Sequence, residues 1–170
     1  MIFLALGSNL DSTLGDRFDN INLAISYLKK HEFKILRKSS YFESQSYPNK
    51  NNPKFINVVI QAETLLPPED LASVLIFIEE KLERKRKIKN DPRTCDIDII
   101  DYKGLILEFK YKDLSFIVPH KEVCTRNFVL FPLEEISPKW RHPKTNELVA
   151  DLIKKLPDED KNSIFKIKKD

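Results

Sequence analysis

Two helical stripes of apolar residues, each preceded and followed by strand-like runs, are what most constrains the fold of this chain. Leu14, Phe18, Ile21, Ile25 and Leu28 recur at alternating steps of four and three, and Leu71, Leu75, Ile78 and Leu82 repeat the pattern. Thr13 with Asp16 three residues on resembles a capping box for the first helix, and Pro67-Pro68 opens the second where a missing N–H costs little. Ile2-Phe3-Leu4-Ala5-Leu6 stops at Gly7-Ser8-Asn9, as a buried strand does on entering a loop. Phe33 to Ser44 is strand-like, and Phe55 to Ala62 is rich in β-branched residues. A strand through Asp96 to Ile100 follows the second helix, and Tyr102-Lys103-Gly104 leads it into Leu105 to Phe109 as a hairpin partner. The order β-α-β-β-α-β predicts an α+β sandwich with helices on a mostly antiparallel sheet. Asn146 to Leu156 reads as a last helix with Leu148, Leu152 and Ile153 inward, and the charged extension from Asp158 to Asp170 is expected to pack loosely.

With 170 residues, 41% hydrophobic and 32% charged, the chain suits one compact domain, 1–170. Cys95 and Cys124 are its only cysteines and lack metal-site spacing, so neither a disulfide framework nor a zinc site is expected, and a reducing cytoplasmic setting fits. The apolar start is too short to span a membrane and has no basic flank, so it is no signal peptide. The formal charge of +3 is unevenly spread: Lys81 to Lys89 packs six basic residues against one acid. Such a run attracts polyanions, or simply complements a helix dipole at a solvated C-terminus.

Asp96 and Asp98 break an otherwise apolar strand just after that cluster. Residues i and i+2 share a strand face, so both carboxylates project together while Cys95, Ile97 and Ile99 point into a core. Two anions on one face repel unless a cation lies between them, and Mg²⁺ takes one or two carboxylates and completes its shell with water and phosphate oxygens. For a lone Asp-x-Asp a solvated strand face is the simpler alternative. Gln45 to Lys54 carries two prolines, four Asn or Gln residues and no aliphatic one, which marks a polar loop of a kind that often serves as a lid.

Taken in order, Ala5-Leu6-Gly7-Ser8-Asn9-Leu10, Phe55-Ile56-Asn57, Arg84-x-Arg86, Pro92-Arg93-Thr94-x-Asp96-x-Asp98-Ile99, Val118-Pro119-His120 and Arg126-x-Phe128-x-Leu130-x-Pro132-Leu133 resemble the 6-hydroxymethyl-7,8-dihydropterin pyrophosphokinases of the folate pathway. The resemblance runs from Ile2 to about Trp140. It implies a ferredoxin-like α/β/α core, two Mg²⁺ ions, closing loops, and transfer of the β,γ-pyrophosphoryl group of ATP to the pterin hydroxymethyl oxygen with release of AMP. No fused neighbouring folate enzyme and no obligate protein partner is expected.

Carried over by that resemblance, Asp96 and Asp98 hold the metals, and Arg84 and Arg93 join them as catalytic residues. Glu79, Arg84, Arg86, Arg93, Ile99, His120 and Arg126 are the expected ATP contacts. Gly7, Ser44, Gln45, Tyr47, Phe55, Asn57, Asp96 and Phe128 are the expected pterin contacts. The chemistry agrees: arginine forks suit phosphate oxygens, and a flat ring with amide-like edges calls for stacking aromatics and a bidentate amide. A metal-polarised hydroxyl makes a separate strong base unnecessary, and none is assigned.

Some positions depart from the family's habit. Lys87 to Asp91 is one residue shorter, with Asn90-Asp91 in place of Trp-Gly, and Glu83 stands where a glycine is common. Phe55 replaces a tyrosine, Lys121 follows the histidine, and Ser115 and Ile117 replace an arginine and a threonine. The competing reading is a ferredoxin-like RNA-binding module using the basic run and exposed aromatics. It lacks a recognisable RNP motif and gives two acids no role. A degenerate enzyme kept for protein contacts is the third, against which the intact Asp96, Asp98, Arg93 and His120 argue.

Overall fold

The computed structural model describes residues 1–85 and 90–169, so Arg86 and the stretch 87–89 of the shortened loop lie outside the described residues. The elements run β1 (Ile2–Ser8), α1 (Arg17–Lys30), β2 (Lys34–Lys38), β3 (Tyr41–Ser44), β4 (Phe55–Glu63), α2 (Pro68–Lys81), β5 (Asp96–Tyr102), β6 (Leu107–Tyr111), β7 (Leu114–Val118), α3 (Asn127–Ile136), α4 (Val149–Lys155), α5 (Asp158–Asn162) and β8 (Ile164–Ile167), with a 3₁₀ turn at Val123–Thr125. A six-stranded antiparallel sheet has the order β5-β1-β4-β3-β8, with β2 also paired to β4, while β6 and β7 form a separate two-stranded sheet. Helices cover both faces, giving the ferredoxin-like α+β sandwich.

Alternation divides the core in two. Ile2, Leu4, Leu6, Ile56, Val58, Ile60, Ile97 and Ile99 pack under Ile21, Leu28, Leu71, Leu75 and Ile78 of α1 and α2. Phe3, Val59 and Ile100 face the other way, against Val129, Leu130, Leu133 and Leu152 of α3 and α4. The β1–β5 register shifts between Phe3 and Leu4. Beyond that shift Ile100 belongs to the α3/α4 cluster and Asp101 accepts from Trp140 Nε1 at 2.8 Å. No helix among the described residues is long and apolar enough to cross a membrane.

Four expectations shift. The first helix is capped at Asp16, whose side chain accepts from Asp19 N while Asp19 accepts from Asp16 N, so Leu14 lies before the helix and is exposed. Thr13 instead gives its N–H and hydroxyl to Glu83, 70 residues away. Phe33 to Ser44 divides at Ser39-Ser40 into β2 and β3, both along β4. The partner of β6 is β7, not the Asp-x-Asp strand, because Asp101 Oδ1 takes the Gly104 N–H and the chain turns away there. Residues 158–169 do not fray: β8 adds to the sheet beside β3. Residues Asn127–Ile136, for which the sequence offers no helix signal, form a full helix, α3, with Pro132 inside it.

Candidate active site

Strand register lines up the site. Gly7 pairs with Asp96 on one side and with Asn57 on the other, and Asn57 pairs with Phe42. With strands about 4.8 Å apart, the carboxylate strand and the amide of Asn57 stand roughly 10 Å from each other across the sheet. Gly7 sits between them because a Cβ there would lie 3.3 Å from Asn57 Oδ1 and 3.4 Å from the Phe55 ring.

On the β5 side, a cleft of about 540 Å³ opens between β5, β7 and the start of α3. Glu79, Arg84, Arg93, Asp96, Asp98, Ile99, His120 and Arg126 all line it, so every described residue expected to bind ATP is there. Ser115, Ile117 and Lys121, three of the departures from the family's habit, line it as well. Arg84 donates to Asp96 Oδ1 at 2.7 Å and to the buried Glu79 at 2.6 Å. Arg93 Nε stands 2.8 Å from Asp96 Oδ2 as an ion pair, without hydrogen-bond alignment. Arg126 bridges Asp98 at 2.6 Å and Glu122 at 2.7 Å. Glu79 also accepts the Ile97 N–H at 2.9 Å, which ties α2 to β5.

These neighbours set the charge states. Burial alone would raise the Asp96 carboxyl, but Arg84 and Arg93 outweigh it and hold the group below the usual carboxylate range. Asp98 is pushed the other way, first by burial and then by the charge of Asp96. Burial, with Arg126 adding to it, lowers His120 and favours its neutral imidazole.

Asn57, with Ser44 and Phe55 close by in register, stands at the other end of the same row. Asn57 Nδ2 donates to Phe42 O at 3.1 Å and to Ser44 Oγ at 2.9 Å, so its nitrogen is spent within the sheet and its carbonyl oxygen faces Gly7. The amide therefore leaves one atom, not the expected two, for an edge contact. The Arg93 guanidinium lies 5.2 Å from the Phe55 ring centre, and Arg126 lies 5.5 Å from that of Phe128. Each candidate stacking ring thus adjoins an arginine that is itself paired to an aspartate. Gln45 and Tyr47 are not drawn into this cluster: both are exposed, Tyr47 to 83%.

The family model described as 7,8-dihydro-6-hydroxymethylpterin-pyrophosphokinase matches residues 3–138. The chain belongs to this family. It is 35% identical to the Aquifex aeolicus 2-amino-4-hydroxy-6-hydroxymethyldihydropteridine pyrophosphokinase over 142 residues, covering 84% of this chain and 83% of that one. It is 36% identical to the Pneumocystis carinii folic acid synthesis protein fol1 over 159 residues, 94% of this chain but only 20% of that protein's length. A crystal structure of a Plasmodium falciparum HPPK-DHPS triple mutant with pteroate shares the fold at a TM-score of 0.73 and 12% identity, over 97% of this chain and 46% of that one.

Three residues of this pyrophosphokinase-family site escape a reading of sequence alone. Asn9, almost fully buried, accepts from Arg93 N at 2.8 Å and donates to Ser46 Oγ at 3.1 Å and Pro53 O at 3.0 Å, joining the backbone at Arg93 to the polar loop. Glu122 orients Arg126, and Asn127 accepts the Phe128 N–H at 2.7 Å. A buried asparagine in a Gly-Ser-Asn turn was the available signal for the first; the others depend on distant partners. Glu83 holds φ +66°, which explains why glycine suits that position. Its carboxylate grips Thr13 instead.

Proposed function

We propose that this chain transfers the β,γ-diphosphate of ATP to the hydroxymethyl oxygen of 6-hydroxymethyl-7,8-dihydropterin, giving AMP and the pterin diphosphate. The observation that carries this reading is the single row Asp96-Gly7-Asn57, which joins an arginine-ringed acidic cleft to the Asn57 amide, where we place the pterin slot. A triphosphate in the cleft would meet Arg84, Arg93 and Arg126, and its outer phosphates would lie toward the slot that presents the alcohol. Positioning of that kind, with fixed positive charge, supplies most of the catalysis in phosphoryl transfer.

The donor set suits Mg²⁺. Asp96 and Asp98 offer hard oxygens from one strand face, and no cluster of three or more His, Cys, Asp or Glu residues among the described residues would make a protein-only cage. Asp96 and Asp98 would hold such an ion while water and phosphate oxygens completed its shell. When bound, Mg²⁺ supplies charge neutralisation and polarises the attacking hydroxyl. We assign two ions, both to Asp96 and Asp98. Arg84, Arg93 and Arg126 hold the aspartates meanwhile and keep guanidinium donors at the phosphate positions. His120, held neutral, contributes a hydrogen bond to phosphate. Asn57 and Ser44 orient the ring's edge, and Phe55 and Phe128 take its faces. We read residues 1–170 as one domain acting in the cytosol.

Burial of Arg84, whose side chain is 11% exposed and tied to two carboxylates, counts against an RNA-binding surface built on the basic run. The test is to incubate the protein with Mg-ATP and 6-hydroxymethyl-7,8-dihydropterin and separate the nucleotides by chromatography. Pterin-dependent AMP is the expected product. ADP in its place, or no turnover, would overturn the reading.

A further inference from the structure

The family match ends at residue 138, yet α4, α5 and β8 follow it. The last of these reaches the candidate pterin slot from outside. β8 pairs with β3 in register, Ile164 opposite Ser44 and Lys166 opposite Phe42, so the strand that carries Ser44 is no longer a free edge. The turn between α5 and β8 meets the start of α3 through one amide. Asn127 Nδ2 donates to Asp160 O at 2.7 Å and to Ser163 Oγ at 3.2 Å, and its Oδ1 accepts from Phe128 N at 2.7 Å. Lys50 of the polar loop pairs with Glu159 at 2.8 Å, but with side chains 66% and 77% exposed this contact adds little. Strand pairing and the largely buried amide do the holding.

We propose that residues 158–169 form a strap that sets the shape of the pterin slot, with Asn127 as the positioning residue that passes its grip to Phe128. The inference rests on the reading that Phe128 and Ser44 face the pterin. One side chain donates two bonds to the strap and accepts one from the backbone N–H of the stacking residue, so the first turn of α3 cannot shift away from the strap without breaking the first two. A displacement of about 1 Å in a positioning group is enough to cost a reaction heavily. The strap leaves the ATP cleft alone: neither Asn127 nor any residue of 158–169 lines it.

The test uses the full chain carrying Asn127→Asp, which retains an acceptor for Phe128 N but replaces the amide donor with an oxygen facing Asp160 O. Ser163→Ala, which removes one partner of Asn127 and lies outside the ATP cleft, is the second variant should the first fail to fold. Losing a hydrogen bond of ordinary worth corresponds to roughly a fivefold change in affinity. Asn127→Asp should therefore raise the KM for the pterin about five- to tenfold, leave the KM for Mg-ATP within about twofold, and keep thermal unfolding cooperative. Ser163→Ala should show the same selectivity at smaller size. Equal rises in both KM values, or an unchanged pterin KM in both variants, would overturn the strap. Phe128→Ala measured alongside separates the causes: if it too leaves pterin binding intact, the slot has been misassigned. If Phe128→Ala weakens binding while the strap variants are silent, the strap alone is wrong.

Discussion

Asp96 and Asp98 stand on one face of β5, but their company differs. Asp96 has two guanidiniums within 2.8 Å, whereas among the described residues Asp98 has Arg126 alone and is raised by burial and by its acidic neighbour. Asp98 is accordingly the carboxylate with most to gain from a cation. Replacing Asp98 with Ala removes that ligand and leaves Arg126 with Glu122 alone, so AMP formation should fall on the order of 10²-fold or more, the scale on which a lost charge-stabilising group is felt. Initial rates at saturating substrates check this, and a variant running at the wild-type rate would dismiss the metal assignment. Phe128 raises a different question. Stacking on an aromatic is worth about 1–3 kcal/mol per base in nucleic-acid complexes, so Phe128→Ala should cost the pterin a comparable amount while Mg-ATP binds nearly as before. Calorimetric titration with each ligand decides it: equal losses would mark Phe128 as a folding residue.

At the scale of elements, what was legible in the sequence is whatever depends on near neighbours. The alternation of β5, the buried stripes of α1 and α2, and the polar loop all follow from local periodicity, and, Leu14 apart, each is where the pattern puts it. Partnerships across the fold were not legible. Thr13 looks like a cap until Glu83 claims its hydroxyl, and β6 looks like the partner of β5 until β7 is found opposite it. α3 was hidden by Pro132 and by the lack of a polar cap, although Arg126 is its N-cap and Phe128 lies in its first turn. The site was readable as a list of residue types; the row that assembles it needed the register. Glu79 shows how strongly one such tie counts. It is 2% exposed, binds Arg84, and satisfies the Ile97 N–H between α2 and β5. Glu79→Ala strands a buried donor, a cost of about 2 kcal/mol, which for a domain of this size lowers the melting temperature by roughly 4–8 °C. Glu79→Gln keeps an acceptor for Ile97 and should lose less. A thermal scan in which Glu79→Ala melts with the wild type would show that the tie carries no weight.

For the whole molecule, the distribution of charge outweighs its sum. The net charge is only +3, yet the cleft gathers Arg84, Lys85, Arg93 and Arg126 around two aspartates that already occupy three of those arginines. A bare triphosphate entering there must compete with Asp96 and Asp98 for the same guanidiniums while being repelled by both. With magnesium bound as proposed, the aspartates would have a cation of their own and the arginines would be released to phosphate, reversing that balance. Nucleotide should therefore stabilise the fold only with the metal present. A ligand held at 100 times its dissociation constant adds about 2.7 kcal/mol, a rise of roughly 5–10 °C in melting temperature for a chain of this length. Thermal shift with Mg-ATP should show that rise, and excess EDTA should remove most of it. In Asp98→Ala the difference between ATP with and without magnesium should shrink toward nothing. An equal shift with and without metal in the wild-type protein would mean that the arginines bind phosphate unaided, and the aspartate pair would need another explanation.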